Sequence, residues 1–222
     1  MIPTPAPTAR PPVADAAAWH VLAPLLRPFL PWSSGAMRPS GLLAILGEVW
    51  FRAAPHVVEL GSGVSTLVLA RLLRELGAGS LVAVEHDPMW AGRISDQLRR
   101  EGLAEVASVT LAPLRPNPRS WDGNAWYDET ALAGPDVDVL VVDGPPAWQP
   151  GFSHARYPAL GALAARLAPG AAIVVDDIER AGEQDLLARW SSEHGIAFLQ
   201  HPEAGVAVGH WPGQAAATDG TA

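Results

Sequence analysis

Among the 222 residues there is no cysteine and no lysine. The first absence rules out disulfides and thiolate metal sites. The second leaves fifteen basic residues that are all arginines, and it removes lysine from every mechanistic role. Positive charge is scarce overall: the net charge of −8 lacks the basic face that a nucleic-acid backbone requires of its partner. No apolar run reaches the length of about 20 residues that a membrane span needs. The N-terminus has no basic segment followed by an apolar core, so a secretory signal is not expected. At 49% hydrophobic and 17% charged the chain reads as globular, long enough for one sizeable α/β domain with small additions. These absences make a soluble cytoplasmic protein the expectation.

What is present centres on Val57-Val58-Glu59-Leu60-Gly61-Ser62-Gly63-Val64-Ser65-Thr66. An apolar strand stops, a two-glycine turn follows, and Leu69, Leu72, Leu73 and Leu76 then recur at the spacing of one helical face. Gly61 and Gly63 allow a tight turn and let a ligand approach bare main chain. The helix start behind them offers free N–H groups. Glu59 suits hydroxyls or a cation better than a pyrophosphate. A second acid, Glu85, ends the next strand, Leu81–Glu85, 22 residues beyond Gly63. An acid in that place takes the ribose hydroxyls of a nucleotide-like cofactor.

Glu59-Leu60-Gly61-Ser62-Gly63 with Glu85-His86-Asp87 resembles the cofactor site of class I S-adenosylmethionine-dependent methyltransferases. Ala112-Pro113-Leu114, Val142-Asp143-Gly144-Pro145-Pro146 and Val175-Asp176-Asp177 extend the likeness over roughly residues 40–210. It implies a Rossmann-like α/β fold: a mostly parallel seven-stranded sheet, helices on both faces, an antiparallel last strand, and added N-terminal helices. The chain then divides into a disordered arm (1–12), an N-terminal helical cap (13–53), the cofactor-binding domain (54–211) and a disordered tail (212–222).

Read in order, Ala14–Leu30 predicts a helix with Trp19, Leu22, Leu25 and Leu26 on one side. Residues 31–39 form a turn-rich link, with Trp32 and Met37 as lid candidates, and Ser40 caps a helix to about Trp50. Strands follow at His56–Leu60, Leu81–Glu85, Ala107–Leu111, Val137–Val142, Ala171–Val175 and Ile196–Leu199. Gly205–Trp211 is a last, antiparallel strand, because its link is too short for a crossover. Helices fall at Ser65–Leu76, from the Asp87 cap to Gly102, from about Ser153 through Leu167, and through Trp190. Residues 113–135 read as one long loop. Glu59, Glu85, Asp143 and Asp176 all fall on the carboxyl edge of the sheet, where open α/β folds bind ligands.

The resemblance implies roles at this edge. Glu59, Gly61, Ser62 and Gly63 lie by the methionine end and ribose, with Ser65 and Thr66 beside them or only capping the helix. Glu85 accepts the ribose hydroxyls. His86, Pro113 and Leu114 flank the adenine, and Asp143 and Gly144 also belong to the cofactor site. Asp143, Asp176 and Asp177 are placed as in the metal site of catechol O-methyltransferase-like enzymes, which suits Mg²⁺. The chain departs from that pattern, with Asp177 where asparagine is usual and no lysine base. The alternative is that Asp177 caps a helix and Asp143 bonds turn amides. Besides Asp143, the catalytic candidates are Asp176, His154 and Tyr157, the last three being the bases available without a metal. Trp126, Tyr127 and Trp148 would form an aromatic wall for a planar or sugar acceptor. Arg156 and Arg180 would either hold an anionic substrate or pair with the aspartates.

The leading reading is O-methylation of a small molecule by S-adenosylmethionine, by a monomer or homodimer. Two alternatives stand beside it. One is a domain that binds the cofactor without turnover. The other is a nicotinamide-dependent oxidoreductase, which Thr66 in the third fingerprint position and the carboxylate of Glu59 disfavour.

Overall fold

The computed structural model describes residues 13–213. The arm expected at 1–12 lies outside them, as does the tail beyond Gly213. The helices are α1 (Val13–Leu22), α2 (Pro39–Trp50), α3 (Val64–Leu76), α4 (Pro88–Arg100), α5 (Pro158–Leu163) and α6 (Ala181–His194). The strands are β1 (His56–Leu60), β2 (Ser80–Glu85), β3 (Ala107–Leu111), β4 (Leu114–Pro116), β5 (Ala125–Tyr127), β6 (Val137–Val142), β7 (Leu167–Val175), β8 (Leu199–His201) and β9 (Val206–His210).

Seven strands form one sheet in the order β3-β2-β1-β6-β7-β9-β8, and β4 pairs with β5 in a separate hairpin. The pairs β1–β2, β1–β6, β2–β3 and β6–β7 are parallel, and β9 runs antiparallel between β7 and β8. Alternate side chains feed two cores, as the period of a strand requires. Val57, Val139, Val141 and Val174 pack with α2, α3 and α4 on one face. Val58, Leu60, Leu140, Val142 and Ile173 pack with α5, α6 and the hairpin on the other. This is the doubly wound, Rossmann-like sheet expected. Its strand order reverses between β1 and β6, which puts the ligand-binding crevice at their carboxyl ends.

Several local expectations need correction. The helix expected over Ala14–Leu30 ends at Leu22 and continues as a 3₁₀ turn, Ala23–Leu25. Pro24 and Pro28 remove two amide donors, so the backbone cannot continue the helical ladder. The freed carbonyls are satisfied elsewhere. Arg71, buried on α3, donates to Leu25 O at 2.6 Å and Phe29 O at 2.9 Å, and Gln97 on α4 donates to Phe29 O at 2.7 Å. Ser40 is not the cap of α2, which starts at Pro39 with Arg38 at the cap position. The Ser40 hydroxyl and amide donate instead to Asp15, tying α2 to the first turn of α1.

The expected loop over 113–135 contains the β4–β5 hairpin and a 3₁₀ turn at Glu129–Leu132. The helix expected from Ser153 through Leu167 is only the six residues of α5 and a 3₁₀ turn, and Leu167 already begins β7. The strand expected at Ile196–Leu199 is displaced to Leu199–His201. Asp87 caps α4 as expected, accepting from the amides of Met89 at 2.8 Å and Trp90 at 3.0 Å.

The turn after β1 is held against the end of β6. Gly61 has φ +93°, and a Cβ there would lie 2.9 Å from the Asp143 carbonyl oxygen. The Gly61 amide donates to Val84 O on β2 at 2.8 Å, so the turn has no room to shift. A Gly61→Ala substitution is expected to cost at least about 1–3 kcal/mol through backbone strain, read as a lower urea midpoint with unchanged m-value.

Candidate active site

Glu59, at the end of β1, is fully buried and accepts a hydrogen bond from the Thr66 hydroxyl, while its other oxygen, Oε1, has no partner. Burial pushes its carboxyl up to about 7, the Ser65 and Thr66 hydroxyls pull it down, and the Glu85 charge adds to the rise. Thr66 also accepts the Gly63 amide at 2.8 Å, so it closes the start of α3 as well as holding Glu59. A Cβ built on Gly63 would meet nothing within 4 Å, which leaves bare main chain facing open space.

Glu85, at the end of β2, accepts four bonds from its own chain. Oε2 accepts the Ser62 amide at 3.0 Å and the Ser62 hydroxyl at 3.1 Å, and Oε1 accepts the amides of His86 at 2.7 Å and Asp87 at 2.9 Å. Burial raises its pKa, but these bonds and the nearby His86 ring outweigh burial and hold it below the usual carboxylate value. Trp90, in the first turn of α4, donates its indole N–H to Ser62 O at 2.6 Å.

A cavity of about 100 Å³ lies beside Gly63, lined by Ser62, Val64, Ser65, Trp90, Asp143 and residues of the 31–37 link that include Ser33 and Met37. The link therefore lies over the turn. Met37 is 1% exposed and faces the core, whereas Trp32 stacks on Trp19 with ring centroids 5.2 Å apart. A larger groove of about 680 Å³ adjoins the cavity, sharing Pro31, Ser33 and Trp90 and running along α4 past Arg93 and Arg100.

Asp143, Asp176 and Asp177 do converge, each bringing one carboxylate oxygen within 4.8 Å of the others. A protein cation stands among them. Arg156 is 3% exposed, and its Nη2 donates to Asp143 Oδ1 at 3.2 Å and Asp177 Oδ2 at 2.8 Å. Its other N–H groups donate to the carbonyls of Pro145 at 3.3 Å and Asp176 at 3.1 Å, which fixes the guanidinium in place. Arg180 Nη1 forms an ion pair with Asp177 Oδ2 at 2.7 Å. Arg156 is thus an internal ion-pair partner with no reach to a substrate, and Arg180 is paired with the same aspartate. Asp177 has φ +63°, a left-handed conformation that aspartate and asparagine tolerate better than other side chains.

The donor set does not fit a divalent metal, because two of its three carboxylates, those of Asp143 and Asp177, already bind a guanidinium held by three backbone carbonyls, counting Asp143 O at 3.2 Å. Glu183 joins the cluster, 3.7 Å from Arg156 Nη1, with both carboxylate oxygens buried and without hydrogen-bond partners. Burial pushes Asp143 and Glu183 up to about 7 and Asp176 well above the carboxylate range. Arg156 opposes the rise at all three, and the Asp177 charge adds to it. Burial thus outweighs the two guanidiniums at Asp143, Asp176 and Glu183, and these three carboxyls titrate high.

Other expected site residues lie elsewhere. His154 is not in the crevice: its Nδ1 is 2.7 Å from Asp122, its Nε2 is 3.1 Å from Asp185, and its ring stacks on Trp121 at 4.2 Å. Tyr157 points to α6, its hydroxyl 2.9 Å from Glu193. Both belong to a clasp between the hairpin loop and α6, completed by Arg189 over the Trp121 ring at 4.5 Å. The aromatic wall does not form, because Trp126 is fully buried in the second core and Trp148 is 68% exposed. Tyr127 alone enters the crevice. Its ring meets His86 edge-on at 6.4 Å, and its buried hydroxyl presses on Gly144 with no partner. Such an orphan costs about 1–3 kcal/mol. Leu114 is half-buried and pairs across the hairpin with Tyr127, while Pro113 is exposed. Trp90 and Glu183 were not anticipated. Helical spacing held the signal for both, since Trp90 follows the Asp87 cap by three and Glu183 follows Arg180 by three.

Residues 58–178 match a family model described as a methyltransferase domain. That span is more than half of the chain, which belongs to this family and so to the class I S-adenosylmethionine-dependent methyltransferases. Solved structures share the fold along nearly the whole chain. The SAH-bound Podospora anserina methyltransferase PaMTH1 is 16% identical with a TM-score of 0.60, over 90% of this chain and 88% of that one. The cofactor-bound Rv0187 from MTB is 22% identical with a TM-score of 0.58, over 90% of each chain. The SAM-bound O-methyltransferase TomG from Streptomyces achromogenes is 18% identical with a TM-score of 0.56, over 93% and 92%. No curated protein matches the sequence. Family membership sets the nicotinamide oxidoreductase alternative aside. No helix among the described residues is long and apolar enough to cross a membrane.

Two outcomes follow from the ion pairs. Arg156→Ala would leave buried carboxylates unpaired and is expected to cost about 3–5 kcal/mol in chemical denaturation. For His154, burial lowers the pKa, but the bonds and charges of Asp185 and Asp122 outweigh it and raise the value above 6.5. A raised histidine stabilises the fold fully below its ordinary pKa and loses that contribution as pH rises through the folded value. Thermal stability of the wild type relative to His154→Gln should therefore be larger at pH 6 than at pH 8.5.

Proposed function

We propose that the protein methylates a hydroxyl of a small molecule, and that it does so without a divalent metal. The observation that carries this reading is the position of Asp143. It is the one ionisable side chain lining the cavity beside Gly63, and its carboxyl is pushed up to about 7. A carboxylate titrating near neutral pH is well matched to taking a proton from an acceptor hydroxyl.

S-adenosylmethionine, when bound, supplies a methyl group already activated on a sulfonium. The chain's share is to hold that group, align the acceptor and exclude water. The features that support binding are the bare main chain at Gly63, the partnerless oxygen of buried Glu59, and the Glu85 carboxylate at the end of β2. Glu85 would take the ribose hydroxyls, the Gly61–Gly63 turn and Glu59 the methionine end, and His86 and Leu114 the adenine. Asp143 accepts the acceptor's proton at a carboxylate oxygen, and Arg156 keeps that carboxylate fixed. The internal guanidinium is the support for metal independence. A small acceptor is supported by the adjoining groove of about 680 Å³ with its Trp90 and Arg93 lining.

Calorimetric titration with S-adenosylhomocysteine tests the cofactor half. Binding should be weakened about 10- to 100-fold in Glu85→Ala, and Mg²⁺ or a chelator should leave it unchanged. Turnover on a panel of phenols, catechols and sugars tests the rest. Asp143→Asn should lower kcat by about 10²–10⁴ while still binding the product S-adenosylhomocysteine. Absence of binding would overturn the reading, and a metal requirement for turnover would overturn its metal-free part.

A further inference from the structure

We propose that Tyr127 is a gate on the adenosine half of the cofactor site, held shut by the β4–β5 hairpin and displaced when the cofactor enters. The inference rests on the cofactor reading above. Its basis is where the ring stands. Tyr127 is 1% exposed, lies edge-on to His86 at 6.4 Å, and sets its hydroxyl against Gly144, where any Cβ would collide with it. Gly144 in turn packs on the Gly61 backbone. The ring therefore spans from the end of β2 to the junction of β1 and β6. That is the ledge an adenosine group must occupy if Glu85 is to take its ribose.

One further observation agrees. The Tyr127 hydroxyl has no hydrogen-bond partner, although Glu85, Asp143 and Glu59 all lie near enough to act on its charge. A side chain placed there for packing alone would be apolar, and one placed for structure would be bonded.

The element that carries the ring is suited to yield. β4 and β5 pair over three positions only, Leu114–Tyr127, Arg115–Trp126 and Pro116–Ala125, and they form a sheet of their own. A two-stranded hairpin of that size is marginal by itself. Trp126 and Tyr127 both pack in the second core, and the motion required is a rotation of the Tyr127 side chain that leaves Trp126 in place.

The test is the affinity and association rate of S-adenosylhomocysteine, read by calorimetry and stopped-flow tryptophan fluorescence. It compares the wild type with Tyr127→Ala, Tyr127→Leu and Tyr127→Phe, and circular dichroism checks that each is folded. If nine-tenths of wild-type molecules are shut, removing the ring should tighten binding about tenfold. Tyr127→Ala and Tyr127→Leu should both bind faster and tighter, and Tyr127→Phe, which keeps the ring, should associate as slowly as the wild type. Weaker binding by the folded Ala and Leu variants, with wild-type binding still lost in Glu85→Ala, would overturn the gate and leave the cofactor reading intact. No binding by any folded protein would overturn both.

Discussion

The carboxyl edge of this sheet depends on one buried cation. β6 and β7 end in three aspartates, and a sheet edge carrying that much negative charge away from water would not hold together unaided. Arg156 meets it from the loop before α5, reaching two carboxylates and three carbonyls with one side chain. The planar fork of a guanidinium can do this where an ammonium could not. The ends of β6 and β7 are thereby set relative to each other, and the glycine turn after β1, packed on the Asp143 backbone, is set with them. The geometry of the crevice is inherited from that pairing.

Much of the scaffold was legible in the sequence because it is written in short-range signals. The bounds of β1, β3 and β6 follow from apolar runs ended by an acid or a turn. The Gly61–Gly63 turn, the Asp87 cap and the stop at Gly77 each follow from one residue's backbone preference. The convergence of Glu59, Glu85, Asp143 and Asp176 follows from strand ends in a parallel sheet. What was not legible depends on distant partners. The β4–β5 hairpin has strands of three residues, too short for a period-two pattern to show. His154 and Tyr157 looked available for chemistry because Asp122, Asp185 and Glu193, which engage them, lie about 30 or more residues away. Trp126 and Tyr127, neighbours in one strand, are both buried in the second core, and only the Tyr127 hydroxyl reaches the crevice, at Gly144. Arg156 could be read either as a substrate ligand or as an ion-pair partner until its burial was known.

The two halves of the crevice are built on different physics. At the end of β2, backbone amides and a hydroxyl satisfy Glu85, so it is held below its usual value. On the β6–β7 side, burial dominates, so Asp143, Asp176 and Glu183 titrate high and protons can be kept. A site that must hold a polar cofactor at one end and take a proton at the other needs this contrast. The fold provides it by placing hydrogen-bond donors of the glycine turn at one end and only a charge partner at the other.

The clasp of Trp121, His154 and Arg189 has a mechanical consequence. It pins the tip of the β4–β5 segment to α6, and Trp126 pins it again a few residues later. A strip fastened at two points cannot swing as a flap, and whatever motion it has is concentrated in the short span beyond the second fastening. Lengthening the tip of this segment by inserted residues should therefore be absorbed as slack outside the clasp, whereas a single residue added between Trp126 and the 3₁₀ turn at Glu129 would change the throw of the moving part itself.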